Sequence, residues 1–245
     1  MLQRKTTRKV VLVLIGLQGS GKDTVSDFIV KLTNGRTKHL AFADTLRNTC
    51  WQIFGHKIIN RTKIYGNATQ KSQPIKGWLI PDHTADRLGV ERHTEWTGRY
   101  LLQWMGTEVC REDSGSDNLW VTLLLDQLRC PHTQLTIVTD CCFPNEYKAL
   151  WDLRKENIAV HFIRIQRDGV ALIQVNEHSS ESHIHTFDCQ YTLNNNNTII
   201  DLKAETVKLL TALGIVYSHN TGKYATFTEY SNVKKFSLST SVQHA

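Results

Sequence analysis

The stretch Gly16-Leu-Gln-Gly-Ser-Gly-Lys22-Asp-Thr24 restricts this chain more than any other feature. It follows a continuous apolar run, residues 10–15, rich in valine, leucine and isoleucine. It precedes a stripe formed by Val25, Phe28, Ile29 and Leu32. A run apolar at every position suits a central parallel strand covered on both faces. Apolar residues three and four apart suit an amphipathic helix. A glycine-rich turn between such a strand and such a helix can aim successive backbone N–H groups at phosphate oxygens. The helix N-terminus adds about half a positive charge. Lys22 can place an ammonium on the outer phosphates and neutralise charge developing during transfer. The strictest form of the motif has Ser or Thr directly after the lysine. Here Asp23 stands there and Thr24 follows, so the spacing is GxxGxGKxT. Gly16, Gly19, Ser20, Gly21, Lys22, Asp23 and Thr24 are read as a nucleotide-binding loop for ATP. Thr24 is read as the Mg2+ side, directly or through water.

The remaining chain alternates strand and helix signals. Residues 38–42 read as a second strand. Residues 44–54 read as a helix with Asp44 as N-cap and Gly55 as stop. Residues 56–97 are polar and irregular, with Pro74 and Pro81, and read as a loop-rich substrate-side insertion with one short helix. Residues 98–109 and 119–128 read as helices, 135–139 as a strand ending at Asp140, 145–155 as a helix and 159–165 as a strand. Residues 169–176 read as a short helix inside a lid-like segment, 167–190. Residues 198–200 read as a short last strand beginning near Tyr191, and 204–213 as the last helix. Alternation of this kind argues for a mostly parallel sheet with right-handed crossovers in a three-layer α/β/α arrangement. The expectation is one domain, 1–216, and a mobile tail, 217–245, rich in Ser, Thr and Asn.

Bulk properties exclude little but point the same way. The 245 residues suffice for one large α/β domain or two small ones, and the formal charge of +6 suits anionic ligands. The basic residues are scattered and not massed on one face, so nucleic acid is not expected as the ligand. The six cysteines show no CxxC pair and read as reduced thiols in a cytosol-like compartment. Arg4, Lys5, Arg8 and Lys9 before the first apolar run imitate a secretory signal, but no small-residue cleavage site follows. No apolar stretch reaches about 18 residues, so no membrane span is expected.

Several short blocks then occur in a recognisable order. They are Gly19-Ser-Gly-Lys-Asp-Thr24 with Asp27-Phe28; Ala41-Phe42-Ala43-Asp44-Thr45-Leu46-Arg47; Arg99, Leu102-Gln103 and Gly106-Thr107, with Arg111 and Trp120; Asp140-Cys-Cys-Phe-Pro-Asn-Glu146; and His178-Ser-Ser-Glu181. In this the chain resembles the deoxynucleoside monophosphate kinases of bacteriophages and large DNA viruses, over about residues 10–213. Thr45 stands where that family has proline, Arg47 where it has lysine, and Cys142 where it has arginine.

The resemblance implies a P-loop NTPase fold of the nucleoside monophosphate kinase type. It implies transfer of phosphate from ATP, with Mg2+, to a deoxynucleoside monophosphate (dNMP). It also implies a viral origin, a cytoplasmic location (host cytoplasm) and no membrane attachment, and it allows a homodimer. Lys22, Arg99, Asp140 and Arg167 are the expected catalytic residues. Asp44, Arg47, Arg99, Gln103, Arg111 and Asp140 are the expected acceptor-binding residues. Arginine forks match phosphate oxygens, and strand carboxyl ends place ligands in open α/β sheets. Arg164 is a weaker companion to Arg167, and Trp104 could stack on a base or lie in the core. His178, His183, His185 and Cys189 do not have the spacing of a zinc site. Two other readings remain open from sequence. One is a different small-metabolite kinase, such as one acting on dephospho-CoA or phosphomevalonate. The other is a nucleotide-binding regulator that has lost catalysis, favoured by Cys142 and Thr45.

Overall fold

The first strand, β1 (Val10–Ile15), is buried at every position because both of its faces are covered. Val11, Val13 and Ile15 enter one hydrophobic cluster, while Val10, Leu12 and Leu14 enter another on the opposite face. Each such side chain contributes about 1.5–3 kcal/mol relative to exposure, and the period of two splits them evenly between the layers. The computed structural model describes residues 8–58, 60–130, 133–169 and 183–215. Lys9 donates from its ammonium to the carbonyls of Leu128 and Cys130, tying the entrance of β1 to the end of a helix.

Four further strands flank β1, all parallel: β2 (Thr37–Leu40), β5 (Leu135–Val138), β6 (Ala159–Gln166) and β7 (Tyr191–Asn194), in the order β2-β5-β1-β6-β7. One face carries α1 (Lys22–Leu32) and α9 (Ile199–Ala212), which supply Val25, Ile29, Leu202, Leu209 and Leu210 to the core. The other carries α7 (Leu119–Arg129) and α8 (Pro144–Asp152), which supply Val121, Leu124, Leu128 and Leu150. A parallel sheet between two helical layers, with a glycine loop joining the central strand to its helix, is the three-layer α/β/α P-loop NTPase fold.

A third cluster lies beyond the sheet and revises the reading of residues 56–97. That segment is folded, not loop-rich. It contains α3 (Thr62–Tyr65), α4 (Ala68–Lys71), α5 (Asp82–Leu88) and a hairpin of β3 (Pro74–Leu79) with β4 (Glu95–Thr97). Ile64, Ile75, Ile80 and Trp96 from this segment pack with Leu46, Cys50 and Leu101 from its neighbours. An aromatic chain, Phe54–Trp78–Trp96–Trp104, runs through it with ring centroids 5.4–5.7 Å apart. Trp104 therefore belongs to the core.

Helix α2 (Phe42–Ile58) runs past Gly55, since Ile58 in the following turn is buried in the same third cluster and that burial overrides the stop signal. Residues 98–113 are one continuous helical stretch, but only α6 (Gly98–Gln103) has ordinary pitch; Trp104–Asp113 is a wider π-helix. The strand expected at 198–200 is β7, at Tyr191–Asn194; Thr198 instead caps α9. Most of the lid-like segment, including His178 and Glu181, and the tail 217–245 lie outside the described residues.

Candidate active site

The carboxyl ends of β1, β5 and β2 bring the sequence-predicted residues to one edge of the sheet. At the end of β1 the loop turns through Gly19 (φ 81°) and Gly21 (φ 104°), backbone angles that L side chains rarely adopt. Gly16 faces the Ile165 carbonyl and the Ser20 hydroxyl, each 2.6 Å from where a Cβ would be. Lys22 folds back over the loop, its ammonium donating to the carbonyls of Gly16 (2.6 Å) and Leu17 (2.9 Å). That places a cation over the amide cradle. The Ser20 hydroxyl is buried and has no hydrogen-bond partner among the described residues, a donor lacking the oxygen that a phosphate would offer. Thr24 is half-buried in the first turn of α1, and Asp23 is exposed beside it.

Asp140 follows β5, the neighbouring strand. Its carboxylate accepts the backbone N–H groups of Phe42 (2.8 Å) and Ala43 (2.9 Å), so it caps α2 across the sheet. Burial raises its pKa, against the two amides and Arg47, while Asp44 adds to the rise. Asp44 accepts the Ala41 N–H (2.9 Å) and pairs with Arg47 at 3.0 Å. Asp44 is therefore not the N-cap read from the sequence: α2 begins two residues earlier, at Phe42, and Asp44 reaches back from its first turn to the Ala41 N–H. Asp140 also lines a cavity of about 200 Å³ with Phe42, Leu46, Arg111, Cys142 and Glu146.

Arg111, on the π-helix, donates to the Glu146 carboxylate at 3.0 Å and lies over the Phe143 ring at 3.9 Å. Its Nε is buried and has no partner among the described residues. The second oxygen of Glu146 accepts the N–H groups of Cys142 (2.9 Å) and Phe143 (3.1 Å). Burial pushes the pKa of Glu146 up to about 7, with Asp140 adding to the rise and the two amides and Arg111 opposing it. Glu146 ends the Asp140–Glu146 stretch, where no local signal marks a role for it. The structure makes it the brace of Arg111.

Two arginines act electrostatically on Lys71. Arg47 comes from α2, Lys71 ends α4, and Arg99 opens α6. Arg99 Nε lies 3.4 Å from the Ser72 hydroxyl, next to Lys71. Gly98 fixes this end of α6, because a Cβ there would overlap the Lys63 carbonyl of α3. The pKa of Lys71 is lowered, first by burial and then by the positive Arg47 and Arg99, with Asp23 opposing. Those influences place Lys71 within electrostatic reach of both arginines and of the glycine-loop helix. Sequence reasoning missed Lys71, as it lies in the segment with no legible period.

No protein-family model matches the chain, and no curated protein matches it. Among solved structures, the chain is similar to an APS kinase of Mycobacterium tuberculosis, with 12% identity over 84% of this chain and 99% of that one and a TM-score of 0.36. It is also similar to a sugar kinase from a Janibacter species, with 14% identity over 86% and 99% and a TM-score of 0.34. A third similar structure, APE1195, has 14% identity over 85% and 97% and a TM-score of 0.38. At such identities and scores the likenesses carry no weight for substrate or activity.

The other expected residues are placed less centrally. Gln103 is half-buried at the end of α6, and Arg167 is exposed just past β6. Arg164 donates to the carbonyls of Ile184 and Phe187, which makes it a tether between β6 and the segment before β7. Among the described residues no cluster of three or more His, Cys, Asp or Glu could hold a metal ion. His178 lies outside those residues. Among the described residues no helix is long and apolar enough to cross a membrane.

Proposed function

We propose that this chain is an ATP-dependent kinase that phosphorylates a deoxynucleoside monophosphate to the diphosphate. The observation that carries the reading is two sets of groups suited to anions, with Asp23 of the glycine-loop helix within electrostatic reach of the second set. One is the glycine loop with Lys22 over it; the other is the group formed by Arg47, Lys71 and Arg99. Phosphoryl transfer requires two anions held in line with their charge neutralised. The three cations repel one another and are partly compensated by Asp44 and Asp23, so an arriving phosphate dianion relieves stored repulsion.

In this reading the loop amides and the orphan Ser20 hydroxyl hold the donor phosphates. Lys22 exchanges its two carbonyl partners for phosphate oxygens. Arg47, Lys71 and Arg99 hold the acceptor phosphate. The cavity beside Asp140 takes the nucleoside, with Phe42, Leu46 and Trp120 as apolar walls and Arg111, braced by Glu146, as the polar reader. Asp140 positions α2, and so Arg47, through the two amides it accepts. Thr24, an oxygen donor close to Lys22, is the residue that would hold Mg2+, which when bound draws charge from the phosphate oxygens. The family resemblance favours a dNMP acceptor, and the nucleoside-sized cavity next to the cationic group is consistent with it.

The test is turnover. Release of ADP should appear with one or more deoxynucleoside monophosphates and should fall at least about a hundredfold in Lys22→Ala. ATP binding without turnover on any dNMP, dephospho-CoA or phosphomevalonate would instead favour the regulator. Near-wild-type rates in Lys22→Ala would remove the proposal.

A further inference from the structure

The two residues after β7, Asn195 and Asn196, bridge the glycine loop to the end of β6, and no sequence block contained them. Asn195 faces the loop. Its side-chain amide donates to the Ser20 carbonyl at 2.8 Å, and its own N–H donates to the Gln166 carbonyl at 2.7 Å. It approaches Gly21 so closely that a Cβ there would overlap its Nδ2. Gly21 is favoured by its φ of 104°, and a Cβ there would also have to push the Asn195 amide aside. Asn196 faces the other way. It accepts the Asp168 N–H at 2.6 Å and donates to the Asp168 carboxylate at 2.8 Å, a reciprocal amide–carboxylate pair. Arg167 sits between these anchors, after Gln166 and before Asp168.

We propose that Asn195 and Asn196 are positioning residues that hold the phosphate-binding amides and Arg167 in one frame, so that both converge on the same ATP. The inference rests on the nucleotide-binding reading of the loop. Fixing the Ser20 carbonyl from outside fixes the orientation of the peptide whose N–H belongs to Gly21, within the cradle. A peptide that can rock must be ordered when ATP arrives, and the ordering weakens binding. Pinning Asp168 does the same for the backbone that carries Arg167. Neither asparagine needs to touch the nucleotide, and both act through the groups they hold.

The probe is ATP with Mg2+, titrated calorimetrically against the wild type, Lys22→Ala and the asparagine variants, each first checked for an unchanged melting temperature. Asn195→Ala should bind ATP about tenfold more weakly, the factor expected for one lost hydrogen bond plus a loosened turn. Asn195→Asp should be weaker still, since it loses the same donor and also sets a negative charge against the Ser20 carbonyl and beside the phosphate loop. Asn196→Asp sets two carboxylates face to face, and adding Asp168→Asn rebuilds the pair with its partners exchanged. ATP affinity should fall in the single variant and return in the double one, a rescue that general destabilisation does not produce. Wild-type affinity in Asn195→Ala and Asn196→Asp overturns the inference while leaving the loop reading intact. A wild-type chain that binds no ATP overturns both.

Discussion

Replacing Glu146 by glutamine should change how stability depends on pH. Glu146 is 2% exposed, and its pKa rises from an ordinary 4.5 to about 7 because burial disfavours the charge more than Arg111 and two amides favour it. A carboxyl with a raised folded-state pKa holds its proton more tightly when folded. Its contribution to stability is fully present below 4.5 and is lost as pH rises through about 7. A rise from 4.5 to about 7 corresponds to about 3 kcal/mol. The glutamine side chain does not titrate, so subtraction isolates the Glu146 contribution from other carboxyls. Urea midpoints at pH 5, 6, 7 and 8 give the difference between wild type and E146Q. That difference should shift against the wild type by about 2–3 kcal/mol between pH 5 and pH 8. A flat difference, or one shifting in favour of the wild type as pH rises, would mean that Arg111 keeps the carboxylate ionised and that burial does not dominate.

Three other outcomes follow from the geometry. Lys71→Ala should raise the acceptor KM about tenfold to a hundredfold while ATP affinity stays near wild type, as read from steady-state kinetics with each substrate varied. Gly98→Ala should destabilise the chain by about 3 kcal/mol or more in a thermal melt, because the clash is with the backbone of α3, which cannot rotate aside. Trp120→Phe should cost about 1–3 kcal/mol in the same assay, leaving the Gly106 carbonyl without the indole N–H that now donates to it at 3.1 Å.

What could be read in the sequence was local in character. The strand–glycine loop–helix unit is written in 23 consecutive residues (Val10 to Leu32), each at a spacing that the backbone geometry dictates. Asp140 was legible as a polar residue closing an apolar strand, and Arg47 and Arg99 as cations near helix starts. The third core was not legible. Its parts, Leu46, Ile64, Ile75, Trp96 and Leu101, come from several short elements and one long helix, and none of the short ones repeats its pattern long enough to be seen. Lys71 went unseen for the same reason. The brace between Arg111 and Glu146 joins positions 35 residues apart, and no local signal links them. Asn195 and Asn196 lie in a run of four asparagines that reads as a polar turn until its neighbours in space are known.

The strand order also governs how the chain leaves the ribosome. β1 emerges first, yet its neighbours begin at Leu135 and Ala159, so at least 119 residues (16–134) separate its last position from the first partner able to cover it. At about 5–20 residues per second that is roughly 6–24 seconds of synthesis. Throughout that time a stretch of six apolar residues without charge or proline is without its native partners, a composition prone to pairing with other copies of itself. Arg4, Lys5, Arg8 and Lys9 lie directly upstream, where like charges on nascent neighbours repel.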